Sequence, residues 1–167
     1  FGPLLPRRAC LAVAFVWLRL VAWLERTVLG LDYRIVGREN LPKHGSFVLA
    51  AKHQSTYETM KLHLLLDDPA IVMKRELMFI PFYGWFARKA GMIVVDRRAG
   101  ANALKRLVRD GKAALAEGRQ ILIFPEGTRT APGTRLPYQP GVVALYSQLD
   151  AAVVPVALNS GLVWPRR

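Results

Sequence analysis

The sequence predicts an α/β fold: a single domain with a mostly parallel central sheet flanked by helices, preceded by an apolar, membrane-associated N-terminal helix. Three observations predict it. Short apolar runs alternate with stretches of helical periodicity, the pattern of βαβ units. The apolar runs carry almost no charge, while charged side chains gather where each run ends. Residues 9–29 are almost wholly apolar, with Arg19 near the middle and Glu25-Arg26 before the end.

The N-terminal stretch approaches the roughly 20 apolar residues that a membrane span needs. An arginine at mid-bilayer costs a few kcal/mol, about 3 on insertion scales. The stretch therefore reads as a helix in the membrane interface or docked on the domain, with Arg7 and Arg8 beside it and Trp17 and Trp23 at headgroup level. A core helix, or a span completed by residues upstream, stays open. The chain begins at Phe1 rather than Met. It is expected to be part of a longer protein, so the lack of a leader decides nothing. Residues 33–36 form a short apolar run closed by Gly37 and read as a first strand. Residues 46–51 read as a buried strand. Ser55 then stands three positions before Glu58, the capping-box spacing, so a helix is expected from Ser55 or Thr56 to about Leu66. Strands follow at 70–73 and 92–95. Between them Pro81 is expected at the first position of a helix closed by Gly91. Its aromatic residues Phe82, Tyr83, Trp85 and Phe86 read as core or as the lining of an apolar channel. Residues 101–117 are helical with Gly118 as the stop. A strand at 121–124, a Pro/Gly-rich loop, a helix at 141–149 and a strand at 153–158 complete the chain. The expected organisation is a helical segment at 1–32 and one domain at 33–167, cut short at its C-terminus.

Lysine and arginine total 24 against 12 acids, a net charge of +12, and 52% of residues are hydrophobic. That balance suits an anionic partner, a membrane surface or nucleic acid. No zinc-like Cys/His spacing, basic tail or nucleic-acid-binding motif is present, and the single Cys10 forms no internal disulfide. No Gly-x-Ser-x-Gly elbow of a lipase occurs either.

Parallel strands put their carboxyl ends on one rim, where ligands bind in open α/β sheets. This chain places His53 and Glu58, Lys74, Asp96 and Arg97, and Glu126 with Gly127, Thr128 and Arg129 at those ends. With His53 in the strand-to-helix turn and Glu58 in the first helical turn, the carboxylate can reach back to the imidazole. It then fixes the tautomer and frees the other nitrogen to take a proton. The bland alternative is a capping glutamate beside a satisfied turn histidine. Arg129 offers a bidentate fork, Thr128 a hydroxyl and Gly127 a close backbone approach, a set suited to phosphate, with Arg97 as a second clamp. Glu126 among these cations reads as the residue that holds the arginines in place. His44 and His63 read as surface or packing residues.

On these motifs the chain resembles the glycerophospholipid acyltransferases, most closely the 1-acylglycerol-3-phosphate acyltransferases. The carriers are His53-Gln54-Ser55-Thr56-Tyr57-Glu58, where the family usually ends in Asp, and Phe124-Pro125-Glu126-Gly127-Thr128-Arg129. The blocks Gly91-Met92-Ile93-Val94-Val95-Asp96-Arg97 and Val154-Pro155-Val156-Ala157 add to them. The resemblance spans about residues 33–160. It implies the glycerolipid acyltransferase fold and transfer of a fatty acyl group from an acyl-CoA or acyl-ACP thioester to a glycerol hydroxyl. It gives His53 as the base, Glu58 as its orienting partner and Arg97, Glu126, Gly127, Thr128 and Arg129 as the phosphate site, with Lys74 and Asp96 as further substrate contacts. Backbone N–H groups near the helix start would hold the oxyanion. It implies no metal and no cofactor beyond the thioester co-substrate. The implied partners are a membrane lipid acceptor, an acyl-CoA or acyl carrier protein and the cytoplasmic face of the cell membrane, with no nucleic acid. Glycerol 3-phosphate or a lyso-ornithine lipid as acceptor, and a non-catalytic membrane-binding module of the same fold, stay open.

Overall fold

A computed structural model describes residues 5–165; the outermost positions of both expected segments, 1–4 and 166–167, lie outside it. Five strands, β1 (Val48–Ala51), β2 (Pro69–Lys74), β3 (Ile93–Val95), β4 (Gln120–Ile123) and β5 (Val153–Val156), form one sheet in the order β3-β2-β4-β1-β5. All four pairings are parallel. The α/β architecture is therefore the predicted one.

Side chains alternate across the sheet with period two. Val48, Ile121 and Ile123 face a core completed by Leu107, Val108 and Leu145, from helices α4 (Ala101–Ala116) and α5 (Pro140–Gln148). Leu49, Ala51 and Leu122 face the other way, onto Leu62 and Leu66 at α2 (Tyr57–Leu65). Strands buried on both faces need near-continuous apolar sequence, which is why charge appears only at their ends.

Helix α1 (Arg7–Leu29) packs against α2 and α3 (Tyr83–Lys89) and ends on Gly30 in the left-handed region, φ 64°. It is docked by ion pairs at both ends. Arg7 bonds Asp68 at 2.5 and 2.8 Å, and Glu25 pairs with Lys61 of α2 in a buried contact. Lys61 also lies over the Tyr57 and Tyr33 rings, at 4.6 and 5.5 Å. The opposite face of α1 is apolar and exposed, with Val16, Trp17, Leu20 and Trp23 all more than half accessible. Among the described residues no helix is long and apolar enough to cross a membrane.

Three expectations need correction. Residues 33–36 are not a strand: they pair with neither sheet edge, β3 or β5, and Tyr33, Ile35 and Val36 remain exposed. Pro81 does not open α3, because Phe82 sits at φ +62° and interrupts the helical backbone, so α3 begins at Tyr83. Nor are the aromatic residues near it all core, since Phe82 is 89% exposed. His44 is exposed and His63 is buried against Phe15, as surface and packing residues respectively.

Candidate active site

β1 and β4 are neighbours in register Ala50↔Ile123, so the residues that follow them leave the sheet side by side. Lys52-His53 follows β1 and Phe124-Pro125-Glu126 follows β4. Tight hydrogen bonds join the two turns. Thr130 donates from its N–H and its hydroxyl to the His53 carbonyl at 2.7 and 3.1 Å. Glu126, 4% exposed, accepts from the His53 N–H at 3.0 Å and from Lys52 Nζ at 2.7 Å. Glu126 thus holds Lys52 and the histidine backbone, not the arginines that its neighbours in sequence suggested. The His53 ring stacks on Phe124, centroids 4.1 Å apart.

Glu58 reaches back from the first turn of α2. Its Oε1 accepts from His53 Nδ1 at 2.8 Å, from the Gln54 N–H at 2.8 Å and from the Ser55 N–H at 2.7 Å. Its Oε2 accepts from the Ser160 hydroxyl at 2.7 Å. Burial pushes the carboxyl up, but the bonds from His53, Ser160 and Ser55 outweigh burial and hold it below its ordinary range. A carboxylate only accepts, so Nδ1 carries the proton and Nε2 is the basic nitrogen. The capping and orienting readings of Glu58 are both realised: one oxygen serves the helix start and the imidazole at once.

That arrangement narrows the oxyanion expectation. The N–H groups of His53, Gln54, Ser55 and Tyr57 are already donated, to Glu126, Glu58, Glu58 and Ser55 Oγ. They are not free to hold an oxyanion.

Arg97 and Arg129 converge on the same turn. Arg97 Nη2 donates to the Gly127 carbonyl at 2.6 Å, and Arg129 Nη1 donates to Thr56 Oγ1 at 3.2 Å. Gly127 lies at φ +64°, and a Cβ there would stand 2.0 Å from Arg97 Nη2, so only glycine lets the guanidinium approach. Both arginines rest on neutral acceptors, and among the described residues neither pairs with a carboxylate. Their full charge remains for an anion. Thr128 stands between Gly127 and Arg129 in the turn, half-buried. Lys74 is exposed at the end of β2, with no bond to this cluster. Asp96 is engaged elsewhere: it accepts from Arg75 at 2.5 Å and caps the Arg98 N–H at 3.0 Å. Among the described residues no group of three or more His, Cys, Asp and Glu could hold a metal ion.

The sequence reading missed Ser160 and Lys52. Ser160 is 102 positions from Glu58. The available signal was its place just past β5, which the topology sets beside β1.

A parallel sheet carries, at one rim, an imidazole–carboxylate pair and two arginines not paired with a carboxylate. The chain belongs to the Acyltransferase family, whose model matches residues 32–159. The chain is 39% identical to the 1-acyl-sn-glycerol-3-phosphate acyltransferase of Pseudomonas aeruginosa over 99% of its own length and 64% of that protein. It is 34% identical to the enzyme of the same name from Saccharomyces cerevisiae, over 84% of this chain and 48% of that one. The crystal structure of the 1-acyl-sn-glycerophosphate acyltransferase PlsC from Thermotoga maritima matches with a TM-score of 0.64 at 26% identity, covering 85% of this chain and 55% of that one. The chain therefore spans between about half and two thirds of the length of these relatives.

Proposed function

We propose that this chain carries the catalytic domain of a 1-acylglycerol-3-phosphate acyltransferase. It moves a fatty acyl group from an acyl-CoA or acyl-ACP thioester to the sn-2 hydroxyl of the lysolipid, giving phosphatidic acid for phospholipid synthesis. The observation that carries this reading is the His53–Glu58 pair at 2.8 Å, with the carboxylate locked by three further protein donors.

His53 Nε2 takes the proton as the acceptor hydroxyl attacks the thioester carbonyl, and Glu58 stabilises the imidazolium that forms. The new C–O bond replaces the C–S bond, and the imidazolium returns its proton to the departing thiolate. A positioned base contributes about a hundred- to ten-thousand-fold. Arg97 and Arg129, free of carboxylate partners, bind the acceptor phosphate with Thr128, while Gly127 admits Arg97 and Glu126 holds the turn. Lys74 and Asp96 lie at the outer margin. No step uses a metal or a resident cofactor. The apolar face of α1 sets the domain on the cytoplasmic face of the membrane, where the acceptor resides.

The deciding assay offers lysophosphatidic acid and both thioester donors to the protein, with glycerol 3-phosphate as a rival acceptor. His53→Ala abolishes transfer while the fold is retained. Transfer that survives this change, or that proceeds only onto acceptors without phosphate, overturns the reading.

A further inference from the structure

The connection between β2 and α3 displays an apolar surface that catalysis does not use. A 3₁₀ turn, Arg75–Phe79, follows Lys74 directly and so stands on the same rim as His53. From Leu77 to Ala87 the Tyr83 hydroxyl and the Trp85 indole N–H are the only polar side-chain groups. Phe79 is 74% exposed and Phe82 89%, with Ile80 and Trp85 partly exposed beside them.

This display is built, not frayed. The Tyr83 N–H donates to the Pro81 carbonyl at 2.6 Å and the Gly84 N–H to the Ile80 carbonyl at 2.9 Å. A Cβ on Gly84 would stand 1.9 Å from the Met78 carbonyl oxygen, so α3 is packed hard onto the turn. Phe82 is the one non-glycine residue at positive φ among those described. A bulky side chain enters that region only at a cost in stability. Here the cost is borne to hold an aromatic ring in water, which points to a partner that covers it.

The surrounding charge indicates the partner. Residues 74–98 hold six Lys and Arg against two acids. Arg75 reaches Asp96, so the ends of β2 and β3 form one surface with Arg97 and Arg98 alongside. Aromatic tips ringed by cations match a bilayer interface, where rings enter the headgroup layer and cations meet lipid phosphates. On the other side of the site, Glu25 of α1 meets Lys61, whose ammonium lies over Tyr57 in the first turn of α2. The C-terminal end of α1 is thereby tied to α2, whose first turn carries Glu58.

We infer that the turn at residues 79–82 is a second membrane contact, seated in the headgroup layer of an anionic bilayer and holding the His53 rim against it; this rests on the proposed function in that the acceptor is a bilayer lipid.

The test compares the full chain with Phe82→Asn and with the Phe79→Ser, Phe82→Asn double variant. Phe82 lies at φ 62°, ψ −45°, outside the αL well, so thermal denaturation of each variant accompanies the binding assay as the control for folding. Sedimentation with vesicles of phosphatidylglycerol and phosphatidylcholine reads partition. Acyl transfer is followed with lysophosphatidic acid in those vesicles and with a short-chain form dissolved as monomers. Each ring is worth about tenfold in partition. The double variant is thus expected to bind about a hundredfold more weakly and to slow in step on vesicle acceptor, while transfer to monomeric acceptor holds. Equal partition of variant and parent overturns the inference. So does a parent that dimerises without vesicles and a double variant that does not, which would make the surface a contact between copies. If the parent transfers acyl groups to neither acceptor, the proposed function falls, and partition still decides the turn.

Discussion

Replacing Glu58 with Gln isolates the charge of the dyad from its shape. The amide oxygen still accepts from His53 Nδ1 and the two backbone N–H groups, and the amide nitrogen meets the Ser160 hydroxyl. What disappears is the negative charge opposite the imidazolium. Unit charges 2.8 Å apart attract by about 6 kcal/mol at an effective dielectric near 20, and by about 1.5 kcal/mol in bulk water. Glu58 is 3% exposed and the His53 side chain 19%, so the larger figure is the relevant one. With about two thirds of it realised at the transition state, kcat falls about 10³-fold. KM holds, because every Glu58 bond goes to protein. The assay is steady-state transfer with thermal denaturation as the control for folding. A variant that keeps more than a tenth of parental kcat would refute the electrostatic role of Glu58. Glu58 also carries a pH signature. Its carboxyl is held below the ordinary value of 4.5, so its bonds stabilise the fold above that pH and fade as pH falls through the lower folded value. The Gln variant lacks that part of the acid-side slope in urea titrations.

Ser160→Ala removes one charge-assisted bond and leaves Oε2 without a donor. It is expected to cost about 1.5–3 kcal/mol in urea unfolding and about tenfold in kcat at unchanged KM, with Thr restoring part of both; an Ala variant of parental kcat excludes Ser160 from the dyad. Gly127→Ala strains the left-handed turn and displaces Arg97, so stability falls by about 1 kcal/mol and KM for the phosphorylated acceptor rises about tenfold; an unchanged KM separates Arg97 from phosphate binding. His63 is buried with Nε2 unpartnered, and burial lowers its pKa. The fold prefers it neutral, so stability is complete above the ordinary 6.5 and is lost as pH falls below it. His63→Leu should flatten the urea midpoint between about pH 7.5 and 5; a variant that tracks the parent across that window contradicts this.

The local features of the site were legible and the remote ones were not. His53, Glu58 and the turn at Glu126–Arg129 lie within short segments whose spacing reports a strand end, a cap or a glycine turn. The roles of Glu126 and Asp96 depend on neighbours contributed by other strands. Lys52 claims Glu126 because β1 lies beside β4, and Arg75 claims Asp96 because β2 lies beside β3. Charge counting at strand ends cannot say which cation meets which acid. Residues 33–36 misled for a related reason. Their composition suits a strand, but a strand exists only where it pairs, and this segment pairs with neither edge strand, β3 or β5. Phe82 is harder still, since no propensity anticipates a phenylalanine at positive φ.

The pairing of acids at the rim explains how one site can hold a base and an anion together. Glu126 is neutralised by Lys52, and Glu58 faces the imidazole, so neither carboxylate reaches the arginines. Some arginines elsewhere are quenched: Arg7 and Arg119 share Asp68, and Arg75 holds Asp96. Arg97 and Arg129 are instead fixed by a carbonyl and a hydroxyl, which orient a guanidinium without cancelling its charge. On the proposed function, a carboxylate moved onto either arginine would cancel positive charge offered to the acceptor phosphate. On the proposed function, the separation of the two acids from the two arginines, more than the presence of any one of them, is what would suit this rim to a phosphorylated acceptor.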